Sequence, residues 1–402
     1  MRRYPISSKD KLVVIANVLK PLLQDSRRFY GNSKCTAALY IKAGRLCEIQ
    51  QIIDPWTYTA PEGWEVIRIP AQWLLVPAFV DCHVHLALDG ISGFKGLHGP
   101  VDDGAIAERL RQAADGGITA LRDGGDRYET SFKARLISEI NDYPRVICTG
   151  RAIFRKGLYG TNLGGEGIES MDDVEKRLLQ LKEKGAEQIK VVLSGLISFS
   201  NPGKVGPLHF SVDEMKTITV RAKEYGLPVM VHVNSDQAVR IAVEAGVSTV
   251  EHGFFLSAET LQLMADNNVG WIPTAAPAAA AISQTKSRKE AVSIKKILEQ
   301  HLNMIKLGHE MGVIIGIGTD TGSPGVDWNN GYRQEMKLFA RAGLSSLDIL
   351  MMASINGAGF LGLKKERGLI SIGQKAHWLC LEQDILSNME NFNGPAGIIL
   401  PH

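Results

Sequence analysis

The sequence predicts an α/β protein, a (β/α)8 TIM-like barrel with a small β-sandwich domain formed from both termini. Three observations lead there. From Lys11 to about Trp73 the chain reads as short strands, LVVIANV, AALYIKAGRLCEI and WEVIRIPAQWLLV, with Gly44 and the Pro61–Gly63 stretch as turn signals. After Val76 short apolar runs alternate with stretches of helical periodicity, which is the pattern of repeated βα units on a parallel sheet. From Gly368 the segment GLISIGQKAHWLCLEQD is strand-like again and is expected to return to the N-terminal β unit.

Taken in order, the apolar runs number eight: AFVDCHV (78–84), ITALRD (118–123), RVICTG (145–150), QIKVVLS (188–194), PVMVHV (228–233), TVEHG (249–253), VGWIPT (269–274) and VIIGIGTD (313–320). Eight units in one stretch point to a closed barrel rather than an open doubly wound sheet, and no GxGxxG follows the first run to support a dinucleotide fold. The helical stretches between them include 172–185, 211–226 and 257–268. Ser211 with Glu214 forms a capping box, and Ser257 with Thr260 a weaker version without the acid. PTAAPAAAA at 273–281 is read as a loop. The expected domains are 1–75 with 365–402 as a composite β domain, and 76–364 as the barrel.

The 402 residues are 45% hydrophobic and 22% charged, enough to build a large core and too apolar for general disorder. A net charge of +2 leaves no electrostatic footprint for nucleic acid or an anionic membrane, so neither partner is expected, and the small-molecule substrate that is expected must be argued from a site. The five cysteines are scattered and never spaced CxxC, which fits a reducing cytoplasm better than a disulfide framework or a thiolate zinc site. The first residues, MRRYPISSKDKLVVIANVLKPLL, are broken by Asn17, Lys20 and Pro21, so neither a signal peptide nor a membrane span is expected.

Chemistry on such a barrel gathers where strands end, because the βα loops build one face. His83 and His85 close the first run, Lys190 lies in the fourth, His232 in the fifth, His252 in the sixth, and Asp320 ends the eighth. His83 and His85 are two apart and share a face on an extended strand. Alone, the pair also fits one satisfied core histidine and one accident. Imidazoles and a carboxylate recurring at three other strand ends suit a divalent ion, Zn²⁺, Mn²⁺ or Fe²⁺, with zinc the default. Lys190 is a buried ammonium that needs either an ion-pair partner or conversion, with CO₂, to a carbamate.

PAFVDCHVHL, GITALRDGGD, GAEQIKVVLSG, LPVMVHVNSDQAVRIAVEAGVSTVEHG and IGIGTD resemble the amidohydrolase superfamily, in its prolidase-like and imidazolonepropionase-like branch. The resemblance implies that His83, His85 and Asp320 bind the more buried of two divalent ions and that His232 and His252 bind the second. Lys190 would bridge them as N6-carboxylysine. It further implies hydrolysis of an amide or related C–N bond by a metal-bridging hydroxide, with Asp320 as proton shuttle and Lys190 and His252 as further catalytic residues. Homo-oligomers are common among such barrels.

Rival readings share these residues. The one-metal deaminases carry a Glu three positions after the strand-five His, where this chain has Ser235. Imidazolonepropionase-like opening of a cyclic amide with one metal stays open, as do carbamate and ester hydrolysis and, least favoured, a metal-free scaffold. Dipeptidase-like relatives often carry GGHG and a Tyr after the strand-five His. Here the segments read GGEG, with Glu166, and HVNS, with Asn234. Glu166 is therefore expected to face a substrate amine, amidine or N–H group, with Asn234 and Tyr159 as further substrate contacts. Asp123 is read as supporting the site or capping a turn, and Asp81 as structural, pointing away from the cavity by alternation. Phe254, Phe255 and Trp328 are candidate pocket walls or ordinary packing. His98, His209, His301, His309 and His402 fall outside strand ends and are assigned no role. His377 stands where the family generally has Asp, remote from the metals.

Overall fold

The computed structural model describes residues 2–6, 11–24 and 34–401, so part of the leader reading and His402 lie outside the described residues. The chain divides into two compact units: Met1–Val80, Gly116–Thr119 and Ser345–His402 in one, Asp81–Asp115 and Ala120–Leu344 in the other. In chain order the strands are β1 (Arg2–Ile6), β2 (Lys11–Leu19), β3 (Lys34–Lys42), β4 (Arg45–Gln51), β5 (Glu65–Arg68), β6 (Trp73–Pro77), β7 (Phe79–Val84), β8 (Ile118–Asp123), β9 (Arg145–Ile147), β10 (Ile189–Val192), β11 (Val229–Val233), β12 (Thr249–His252), β13 (Gly270–Ile272), β14 (Trp378–Glu382) and β15 (Gly397–Pro401). Among the described residues no helix is long and apolar enough to cross a membrane.

In the first unit one eight-stranded sheet runs β1-β15-β14-β6-β2-β3-β4, with β5 added beside β2. Both ends of the chain meet in it, since β15 lies parallel to β1 and antiparallel to β14. The near-continuous apolar run of β2 is explained by burial on both faces. Leu12, Val14, Ala16 and Val18 pack with Leu39, Ile41 and Trp378, while Val13 and Ile15 pack with Ala38 and Tyr40.

The second unit carries a three-stranded sheet, β7-β8-β9, and a parallel four-stranded sheet, β10-β11-β12-β13. Single parallel bridges continue the pairing from Ile153 to Val191, from Trp271 to Ile315, and from Val84 to Thr321. The eighth apolar run, 313–320, is not a continuous strand. Gly316 and Gly318 weaken a ladder there, and a Cβ on Gly318 would meet Ile272 Cγ2 at 2.2 Å, so only glycine lets this backbone approach. Pairing survives as hydrogen bonds from Gly316 N to Trp271 O and from Asp320 N to His83 O.

The helices begin as their caps direct. Ser211 and Glu214 form the capping box of the helix Val212–Glu224, and Ser257 accepts from Thr260 N before Ala258–Asp266. The segment read as a loop is instead helical from Ala276 to Gln284. Pro277 sits in its first turn, where no backbone donor is missed, and alanine is the best helix former. The buried Glu335 carboxylate accepts from Ala275 N and Ala276 N, satisfying two donors at that helix start.

Candidate metal centre

Strand register brings the polar residues together. Val192 pairs with His232, His232 with Glu251, and Val233 with His252, so the ends of β10, β11 and β12 lie level. His83 and His85 arrive from the end of β7. Their ring centroids are 5.3 Å apart, His83 and His252 are 5.1 Å apart, and His232 and His252 are 4.5 Å apart. Asp320 Oδ1 lies 3.2 Å from His85 Nε2 and 3.6 Å from His83 Nε2. His83, His85 and Asp320 each offer a ligand atom within 4.8 Å of the others. Gly124 is required beside them, since a Cβ there would stand 2.6 Å from His85 Cε1 and 3.1 Å from His83 Nε2.

Two of these residues hold strained backbone. His252 has φ 68° and Asp320 φ 55°, in the left-handed region that ordinary residues rarely occupy. The turn at His252 breaks strict alternation on β12, so Glu251 and His252 both reach the cluster. Glu251 Oε2 lies 2.7 Å from His83 Nδ1 and accepts a hydrogen bond from its N–H. Arg122 holds the other oxygen at 2.8 Å and also donates to Gln188, Thr249 and the Cys82 carbonyl. With Nδ1 protonated toward Glu251, His83 presents the lone pair of Nε2. His252 is set the same way: the Thr274 hydroxyl donates to Pro273 O at 2.8 Å, so it accepts from His252 Nδ1 at 2.6 Å.

Charge at the site follows from burial. His83, His232 and His252 are held well below the ordinary imidazole range, burial first and the Lys190 charge, or for His252 its neighbouring imidazoles, second. They are neutral and ligand-competent near neutral pH. Burial pushes Asp320 upward, but His85, His83 and Lys190 outweigh it and leave the carboxyl below its usual range. Lys190 is 1% exposed and is lowered to about 8 by burial, against the pull of Glu251 and Asp320. Asp81 is raised to about 7 by burial, despite accepting from Thr319 and His83 N.

The donor set fits a divalent ion. His83 Nε2 and His232 Nε2 are fully buried with no hydrogen-bond partner, a costly condition for a polar atom that coordination removes.

A cavity of about 350 Å³ opens on the cluster, lined by His85, Lys190, His232, His252 and Asp320. Tyr159 and Asn234 line it too, as does Phe254. Glu166 does not. It is exposed, its backbone carbonyl accepts from Arg177, and its charge acts on Arg177 and Lys156. Phe255 faces a separate cavity, and Trp328 is buried with its Nε1 donating to Leu88 O. Asp123 caps the following turn through Gly125 N and also accepts from Leu86 N. Asp81 does not line the cavity, but alternation is not the reason: residues 81, 83 and 85 share a strand face, and Asp81 is tied beside Thr319. Of the histidines assigned no role, His209 and His301 are buried, and His301 stacks on Phe254.

The residues that sequence reasoning missed are Glu251, Arg122 and Thr274. Glu251 directly precedes His252, and that adjacency to a candidate ligand was the available signal.

The Amidohydrolase family pattern matches residues 74–400. The chain belongs to the amidohydrolase family. An uncharacterised protein of Mycobacterium tuberculosis is 28% identical over 343 residues, covering 83% of this chain and 85% of that one. Ochratoxinase of Aspergillus niger is 23% identical over 372 residues, covering 82% of this chain and 74% of its own. Its crystal structure superposes with a TM-score of 0.76 at 19% identity, over 97% of this chain and 93% of that one. A Xaa-Pro dipeptidase crystallised with methionine in its active site gives a TM-score of 0.80 at 19% identity, over 97% and 98% of the two chains. At such identities the structural likeness is one of fold. Membership of the amidohydrolase family makes this a hydrolase of small molecules with a TIM-barrel catalytic domain, in a family that is generally metal-dependent.

Proposed function

We propose that the protein hydrolyses an amide or related C–N bond with two divalent ions, zinc by default, held by His83, His85, His232, His252, Asp320 and a carboxylated Lys190. The observation that carries this is the convergence of three imidazoles, a carboxylate and a buried lysine on one cavity, with the His83 ring 5.3 Å from that of His85 and 5.1 Å from that of His252, and with His83 Nε2 and His232 Nε2 lacking a hydrogen-bond partner. Bound divalent ions would acidify water and polarise a carbonyl oxygen. Lys190 would react with CO₂ through its neutral amine, the nitrogen giving up a proton to solvent as the N–C bond forms, to leave a carbamate that could hold the ions. Burial, which lowers its pKa, supports that neutral form.

The remaining steps belong to the chain's own residues. Asp320, ionised and beside His85, would accept the proton released as water adds to the carbonyl carbon and return it to the leaving nitrogen. Glu251 and Thr274 would keep Nε2 of His83 and His252 as lone pairs. Tyr159, whose phenol burial and the Asp320 charge keep protonated, would donate to the substrate, as would Asn234. The same residues would serve carbamate or ester hydrolysis.

This reading includes a barrel closed by eight strand positions, which the bridges at Ile153, Ile315 and Thr321 support. It includes a composite β-sandwich domain near 1–75 and 365–402, with the barrel at 76–364. The free cysteines support a reducing compartment.

A second reading has one observation in its favour. His83, His85 and Asp320 form a compact ligand triplet by themselves, as a one-metal, imidazolonepropionase-like opening of a cyclic amide would use. Metal content and activity on N-acyl amino acids, dipeptides, lactams and carbamates separate the two. In the two-metal reading, Lys190→Ala loses one metal and most activity, with partial rescue by a short carboxylic acid. Retention of both metals by that variant contradicts the bridge.

A further inference from the structure

The cavity walls above the candidate ligands carry information about the substrate that the ligands do not. Among the described lining residues, every charged side chain is a candidate ligand; Tyr159 is a phenol kept protonated by burial and the Asp320 charge, and the remainder are neutral. One wall is a hairpin, bridged at Ser194–Leu208 and Ile197–Val205, which presents Leu196, Ile197 and Phe199. Its tip is fixed by the Ser293 hydroxyl, which donates to Phe199 O at 2.6 Å. Leu196 is 55% exposed, leaving apolar surface at the rim for a ligand to cover. The facing wall is the helix Ala276–Gln284, with Pro277, Ala278 and Ala281. Phe254 adds a ring stiffened from behind by His301, stacked at 3.9 Å and 10°.

The polar groups are equally specific. Asn234 Oδ1 accepts from Phe254 N at 3.2 Å. A backbone N–H can only donate, so the oxygen must face it and the amide NH₂ is left toward the cavity. That donor is neutral. It matches a carbonyl oxygen, whereas a carboxylate entering an apolar cavity needs a cation or loses its hydration uncompensated.

We infer that the site takes an uncharged, largely apolar carbonyl substrate, with aryl or branched alkyl groups flanking the scissile C–N bond and no free carboxylate. This rests on the hydrolase reading above: water adds to the carbonyl carbon, the C–N bond breaks, and the nitrogen leaves with a proton as the amine. The neutral substrate fills the apolar slot, its carbonyl oxygen accepting from Asn234.

The test uses two anilides of one shape, similar leaving amines and different charge, 4-(butyrylamino)benzamide and 4-(butyrylamino)benzoate, with butyrate release by the zinc-loaded full chain as the readout. The expected kcat/KM favours the neutral anilide by about tenfold or more. In Ala281→Arg, which installs a cation on the wall, that ratio falls toward one. Equal or better cleavage of the carboxylate by the unaltered protein overturns the inference. If neither is cleaved, that outcome counts against the hydrolase reading, and calorimetric binding of the same two compounds decides the inference independently. About tenfold tighter binding of the neutral compound supports it. Equal binding, or none by the neutral compound, overturns it.

Discussion

The floor and the walls of the cavity present opposite chemistry to a ligand. On the floor, two of the imidazoles are fixed from beneath by side chains, His83 by Glu251 and Arg122 and His252 by Thr274, with left-handed backbone at His252 and Asp320 aiming both side chains. The walls stand on paired backbone, tied at the hairpin tip by the Ser293 hydroxyl, but the side chains they present are apolar, and Leu196, Ile197 and Phe199 make no polar claim on a ligand. The difference separates two jobs. Chemistry needs atoms held within fractions of an ångström, which hydrogen bonds and strained turns supply, while choice of substrate needs shape and dryness, which aliphatic side chains supply.

The contrast breaks first at Asp320. Asp320→Asn should lower kcat by about 10³-fold or more while the thermal midpoint moves little; near-normal turnover would remove the floor from the chemistry. Next in size is the buried support behind the wall. Burial lowers His301 to about 4, partly offset by its hydrogen bond to Pro273 O, whereas the unfolded imidazole titrates near 6.5. Its folded pKa is therefore below its unfolded one, and the unfolded chain takes up the proton first. Relative to His301→Phe, the protein should hold its full stability above pH 6.5 and lose about 3 kcal/mol as pH falls toward 4. Urea unfolding at pH 7 and pH 5 reads this directly, and parallel curves for the two proteins would contradict it.

Smaller effects sharpen the division. Glu251→Gln keeps shape but weakens the hold on His83 Nδ1, so metal affinity should fall by about 10- to 100-fold in a chelator competition, with the fold preserved by circular dichroism. Leu196→Ser, on the wall, should raise KM by about three- to tenfold with kcat within about twofold. A kcat loss in Leu196→Ser as deep as that in Asp320→Asn would erase the distinction between the two regions.

The same division explains what was legible in the sequence. The six floor residues stand out because His, Lys and Asp replace aliphatic residues at strand ends, and the structure places all six around one cluster. Glu251 was hidden by period two: with His252 facing inward, alternation turns Glu251 outward, and only the positive φ at His252 brings both in. The wall helix was hidden by composition, because an alanine run after two prolines reads as low complexity until Pro277 is recognised as a first-turn residue. The eighth run reads as a strand from its isoleucines, yet Gly318 trades ladder pairing for close approach to Ile272 and His83. Glu166 was drawn to the substrate by its position in GGEG, but loop conformation has no period from which exposure follows.

The central claim is that metal bound by this floor performs the hydrolysis. The direct measurement is metal per chain, by elemental analysis, alongside turnover of a neutral anilide before and after chelator treatment. The account predicts about two equivalents, activity lost with the metal, and recovery on adding zinc. Undiminished turnover in protein stripped of metal would contradict it.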